Sequence, residues 1–290
     1  MTTGRGRAVA AVGWTIAFLA LTWLLTSVFV IAAAWLITGS LQGVQGWSST
    51  VTGGSLFVQG IAFLAAGLLA TWIVGIKAAR LDLSALRWRS AGPRLKGLGL
   101  GALAGGVTAA LALVIAVAVT RSGWSHDTGG VSAYIAAIGR TGGALAPAAL
   151  AEEVAFRGVP LVLLAAAFNR GVALVVIAVV FALGHMPNPH VSGLALGNIA
   201  LAGIFLGLAF YAPGEIWTAF GAHFGWNFML AALDAPVSGL PFRIPLLDYH
   251  PAAPAWLSGG AFGPEGGLAA TMALTLASVV LARHLRKEFA

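Results

Sequence analysis

Cysteine is missing from all 290 positions. The chain therefore has no disulfide, no cysteine nucleophile, no thiolate metal site and no lipid attached to thiols of its own. Charge is scarce too: Asp, Glu, Lys and Arg make up 9% of the residues, against about a quarter in soluble globular domains. Negative charge is scarcest, with nine acidic residues against sixteen basic ones and a net charge of +7. The Lys and Arg residues fall at the ends of apolar runs rather than along an element that could read a groove, which argues against a nucleic-acid partner. What is abundant is hydrophobic: 59% of the residues, with a mean hydropathy of +0.92. These values describe a polytopic protein whose partner is the lipid bilayer.

The apolar runs predict an all-α transmembrane helical bundle of about eight spans, near 8–37, 55–76, 97–120, 142–168, 172–186, 193–211, 215–233 and 268–282. The first run is nearly twice the length of a signal-peptide core and reads as a retained helix. A basic segment from Lys77 to Lys96 follows the second, where Leu83, Leu86 and Trp88 suggest a short interfacial amphipathic helix. Gly97, Gly101 and Gly105 recur every four residues, as do Gly193/Gly197 and Gly203/Gly207. This is the small-residue spacing of closely packed membrane helices.

Eight spans put both termini on one side. That side collects Arg5, Arg7, Lys77, Arg80, Arg87, Arg89, Arg94, Lys96, Arg170, Arg283, Arg286 and Lys287, whereas the other holds only Arg121, Arg140 and Arg243. The bias predicts both termini in the cytoplasm, in a multi-pass protein of the plasma (inner) membrane. The chain divides into spans one to three at 1–143, a core of spans four to seven at 144–233, and an outer loop, last span and basic tail at 234–290.

Within the spans few strongly polar groups remain, and their spacing is informative. Glu152, Glu153 and Arg157 lie in span four, His185 in span five, and His223 and Asn227 in span seven. Intramembrane charge is costly and functional by default, although an ion-paired packing device is the structural alternative. On a helix Glu153 and Arg157 share a face, while Glu152 points about 100° away and aligns with Phe156. Phe181 sits one turn before His185, and His223 and Asn227 share a face. Such a set suits hydrolysis: a carboxylate or imidazole activates water, and imidazole or amide donors hold a developing oxyanion. Other intramembrane protease chemistries lack their parts. There is no His-Glu-x-x-His zinc helix, no Gly-x-Gly-Asp stretch, and Ser192-Gly193 lacks the flanking glycine pattern of a serine nucleophile.

Glu152-Glu153-x-x-x-Arg157, Phe181-x-x-x-His185 and His223-x-x-x-Asn227, in that order, resemble the three motifs of the CAAX protease and bacteriocin-processing (CPBP, or Abi) family. That family includes the type-2 CAAX prenyl endopeptidases. The resemblance spans about 144–233 and implies an intramembrane endopeptidase acting on a membrane-tethered peptide or lipidated protein. It implies Glu152 as the activator of water with help from His185, His223 and Asn227 as oxyanion donors, and Glu153, Arg157 and Phe181 in support. Family members are also described as metalloproteases, for which Glu152, His185 and His223 would form the zinc set; the metal-free version is the one expected here, with no cofactor. Two other classes stay open. One is a proton- or cation-coupled carrier using the same carboxylates and histidines, and the other is a catalytically silent bacteriocin-immunity protein.

Overall fold

Long apolar stretches without internal proline become long helices in the computed structural model, which describes residues 4–49, 52–88 and 93–286. Arg89 and Lys287, counted in the charge bias, lie outside the described residues. The order is α1 (Gly4–Thr38), α2 (Leu41–Ser49), α3 (Gly53–Ala70) continued by a π-helix (Thr71–Ala78), α4 (Pro93–Val119), β1 (Gly123–His126), α5 (Val131–Arg157), α6 (Val159–Ala167) and α7 (Arg170–Gly184). Then come α8 (Gly193–Tyr211), α9 (Ile216–Ala232), β2 (Leu247–His250), α10 (Ala255–Ser258), two 3-10 turns (Gly260–Phe262 and Pro264–Gly266) and α11 (Leu268–His284). Among the described residues four helices are long and apolar enough to cross a membrane: Gly4–Thr38, Gly53–Ala78, Arg94–Val119 and Gly193–Tyr211. Arg170–Gly184 and Leu268–His284 are shorter apolar helices.

Three local expectations are corrected. The run at 142–168 is not one helix, because α5 stops at Arg157 and α6 begins at Val159. Pro160 lacks the N–H that would continue the ladder and occupies the first turn of α6, where that loss costs nothing. The segment around Leu83–Trp88 forms turns rather than an interfacial helix. Leu86 is fully buried, and Trp88 packs on the same apolar cluster. The stretches expected as plain loops carry structure too, including α2 and a two-stranded antiparallel ribbon that pairs Trp124 with Tyr249.

The chain forms two units, one from Met1–Ala91 with Gly143–Ile177 and the other from Gly92–Gly142 with Ala178–Ala290. In the first, Thr52 opens α3 with a reciprocal cap: its hydroxyl accepts from the Ser55 N–H at 3.0 Å, and the Ser55 hydroxyl accepts from the Thr52 N–H at 2.8 Å. Phe18, Ala70, Val74, Leu86 and Val159 form the apolar core. Small residues let backbones meet: a Cβ at Gly60 would lie 2.8 Å from the Ala148 nitrogen, and one at Gly67 would lie 3.2 Å from Val154. That seam seats α3 against the part of α5 that carries the acidic residues.

In the second unit α4 and α9 are the most intimate pair. Gly101 and Gly105 of α4 meet the backbone of Thr218 and Ala222, while Gly221 and Gly225 of α9 meet that of Leu98 and Ala102. No Cβ fits at these four positions, so the four-residue spacing read from the sequence is a packing seam here. Gly203 of α8 approaches Ala178 of α7 in the same manner. Gly193 and Gly197 have nothing within 4 Å of such a Cβ. The segment between α9 and α11 folds back over the end of α9. Asp234 accepts from the N–H groups of Ile244 at 2.7 Å and Tyr249 at 3.2 Å, and Trp124 donates its indole N–H to the Leu233 carbonyl at 2.6 Å.

Candidate functional site

In the first unit, Glu152, Glu153 and Arg157 occupy the last two turns of α5. Arg157 Nη1 donates to Glu153 Oε1 at 3.1 Å, with both side chains fully buried. Arg157 also stands at the helix C-terminus, where the carbonyl dipoles favour a cation. Both carboxylates act on it electrostatically, Glu153 more strongly than Glu152. Glu152 is only partly buried, unlike Glu153. The helix ends where Gly158 leaves the helical backbone (φ −73°, ψ −121°), in a close approach to the Val154 carbonyl that leaves no room for a Cβ, and Pro160 cannot donate to the ladder two residues on.

In the second unit, four of the sequence candidates come together. Phe181, His185, His223 and Asn227 line one small cavity, with Ile199, Phe205, Leu206 and Leu274 on its apolar side. The Phe181 ring contacts both imidazoles: its centroid is 4.7 Å from that of His185 and 6.1 Å from that of His223, the latter edge-on at 80°. His185 Nδ1 lies 2.8 Å from the Phe181 carbonyl oxygen. A carbonyl only accepts, so Nδ1 carries the proton and, in the neutral ring, Nε2 carries the lone pair. His223 is buried and Asn227 partly so, one turn apart on the same face of α9. The opposite face, with Gly221, Ala222 and Gly225, is held by α4.

Residues 135–229 match the family model Rce1-like, described as type II CAAX prenyl endopeptidase Rce1-like. This segment is similar to the Rce1-like domain of a protease family. No curated protein and no solved structure matches the chain. The matched segment contains all seven residues singled out by the motifs, from Glu152 to Asn227.

Beyond its end lies a residue that neither motif nor spacing indicates. Glu265, in the second 3-10 turn, lines the same cavity together with Ser238. Glu265 Oε1 accepts from Trp226 Nε1 at 2.8 Å, and Oε2 accepts from the Ser238 N–H and, at 3.1 Å, from the Ser238 hydroxyl. Burial pushes the Glu265 carboxyl above the ordinary carboxylate range, opposed by the bonds from Ser238 and Trp226. Asn198 on α8 fixes the turn itself, donating to the carbonyls of Glu265 and Gly267 at 2.8 Å each and accepting from Thr271 at 2.6 Å. A sequence signal existed only in outline: Glu265 is one of nine acids in the chain, set in a Gly- and Pro-rich loop that hides its burial.

Zinc requires three or four ligands converging at about 2 Å. Among the described residues no three His, Asp or Glu side chains are placed to hold a metal ion. The donor set of the cavity in the second unit, two imidazoles, a carboxamide and a carboxylate already taken up by three donors, suits hydrogen bonding and proton transfer.

Proposed function

We propose that the protein is an intramembrane endopeptidase with its catalytic core at 144–233, cutting membrane-tethered peptides such as prenylated CAAX-like ones. The observation that carries this reading is the presence of His185, His223 and Asn227 around one cavity within a chain whose residues 135–229 match an endopeptidase family. Glu152 takes a proton from water, with His185 Nε2 helping to orient it, and the hydroxide oxygen bonds to the scissile carbonyl carbon. His223 and Asn227 donate to the oxyanion that forms. The tetrahedral adduct collapses with the C–N bond breaking, and the proton held on Glu152 passes to the leaving amine nitrogen. Glu153 and Arg157 hold the end of α5, and Phe181 holds the two imidazoles. The protein crosses the plasma membrane eight times with both termini in the cytoplasm, a reading supported by its basic-residue bias. The test is cleavage of membrane-tethered peptides by purified protein, wild type beside Glu152→Gln. Cleavage by the wild type and its loss in the variant are expected; equal rates would overturn the reading.

A further inference from the structure

The mechanism above leaves one buried acid of the cavity unused. Glu265 ties three separate pieces of chain together. Its backbone carbonyl is held by Asn198 of α8, one carboxylate oxygen by Trp226 of α9, and the other by Ser238 in the connection after α9. Trp226 stands three residues after His223 and directly before Asn227, so whatever fixes its indole fixes the rotation of that helix face. A helix turns by about 100° per residue, and a small roll of α9 would swing both polar groups away from the cavity. On its other side α9 rests on the glycine seam with α4. That seam of small residues sets how closely the helices approach, while hydrogen bonds to the indole supply a directional restraint.

We propose that Glu265 is a positioning residue for the His223 and Asn227 face, its carboxylate drawing Trp226 and Ser238 together and so setting the rotation of α9 at the cavity. The role rests on the proteolytic reading for its consequence in catalysis, and on the hydrogen bonds alone for its consequence in structure. The chemistry explains why an acid is needed. N–H donors approach both oxygens, and a carboxylate accepts on both. A carboxamide accepts on one side only, so Gln would set its NH2 against either the indole or the Ser238 N–H.

The experiment compares Glu265→Gln, Trp226→Phe and the double variant in lipid nanodiscs, scoring kcat and KM per folded molecule on a membrane-tethered peptide. Nitrogen-15 resonances of the His185 and His223 rings provide a second readout. Glu265→Gln should lower kcat by about 10- to 100-fold with KM nearly unchanged, as displacement of reacting groups by about an ångström does, and should shift the His223 resonances. Trp226→Phe should lower kcat by only about threefold and shift them less. In the double variant the opposed donor is gone, so kcat should recover about tenfold over Glu265→Gln, a non-additivity that a general loss of stability does not produce. Unchanged kcat and unchanged rings in Glu265→Gln, or a lower melting temperature with kcat per folded molecule intact, would overturn the proposal. Should Glu265→Gln not fold, Trp226→Phe decides it: unchanged kcat and His223 resonances would overturn the role. If the wild type cleaves nothing, the proteolytic reading fails, and the ring resonances, which need no substrate, still decide whether Glu265 orients the face.

Discussion

The guanidinium of Arg157 and the carboxylate of Glu153 meet at 3.1 Å with neither side chain reaching solvent. Each charge is tolerable there because of the other. Removing Arg157 takes from the fully buried Glu153 carboxylate its ion-pair partner, which costs about 3 to 5 kcal/mol. Arg157→Ala should therefore unfold at a clearly lower temperature in detergent, while Glu153→Gln with Arg157→Met should recover most of the loss. Wild-type melting for Arg157→Ala would show that the pair is not a stabilising element.

The catalytic assignment separates by type of substitution. Glu152→Gln preserves shape and removes the base, so turnover should drop by about 10² to 10⁴. Asn227→Ala removes a donor and should cost about 10² to 10³ in kcat with KM little changed. Exhaustive chelation should leave the wild type fully active, checked by elemental analysis of the same sample. Reversible loss of activity with about one zinc per chain would instead favour the metalloprotease mechanism.

The glycine seam is testable by size alone. Gly101→Val and Gly105→Val place side chains against the α9 backbone, where overpacking costs about 1 to 3 kcal/mol or more. Both should weaken the second unit and, by displacing α9, lower turnover. Gly99→Ala, with nothing within 4 Å of the new Cβ, is the matched control and should behave as wild type in a thermal-shift assay. A Gly105→Val protein as stable as that control would contradict the packing.

Asp234 makes stability depend on pH. Burial raises its carboxyl above the ordinary 3.8, outweighing the hydrogen bonds from Ile244 and Tyr249, and Asp248 and Asp127 push the same way. The folded protein thus keeps a proton that the unfolded chain has already released. The stabilising contribution is complete below 3.8 and disappears as pH rises through the raised value. Melting temperature followed upward from about pH 3.5 should fall more steeply in wild type than in Asp234→Asn. Parallel curves for the two proteins would remove Asp234 as the cause.

Reporters at the C-terminus and at Ser125, in the ribbon strand Gly123–His126, should lie on opposite sides of the membrane, with the C-terminus cytoplasmic. Both on one side would break the eight-span reading.

The sequence by itself determined the local and periodic features. Hydropathy marked the long helices, because a helix in lipid satisfies its own backbone and needs only apolar side chains. A four-residue spacing identified the Glu153–Arg157 pair and the seam at Gly101 and Gly105, because a helix repeats every 3.6 residues and neighbours along a face are set by position alone. The motifs singled out Phe181, His185, His223 and Asn227 for the same reason. Tertiary structure decided what depends on distant segments. Leu86 was read as interfacial and is instead buried beside Phe18 and Val159, since amphipathic spacing does not distinguish a lipid surface from a protein one. The break at Gly158 lies inside a stretch whose length and overall hydropathy suit a single span. Glu265 joined the cavity through Trp226, thirty-nine residues away, and Asn198, sixty-seven away. No local pattern encodes such contacts, because the hydrogen bonds that make a buried acid tolerable come from whichever segments the fold happens to bring to it.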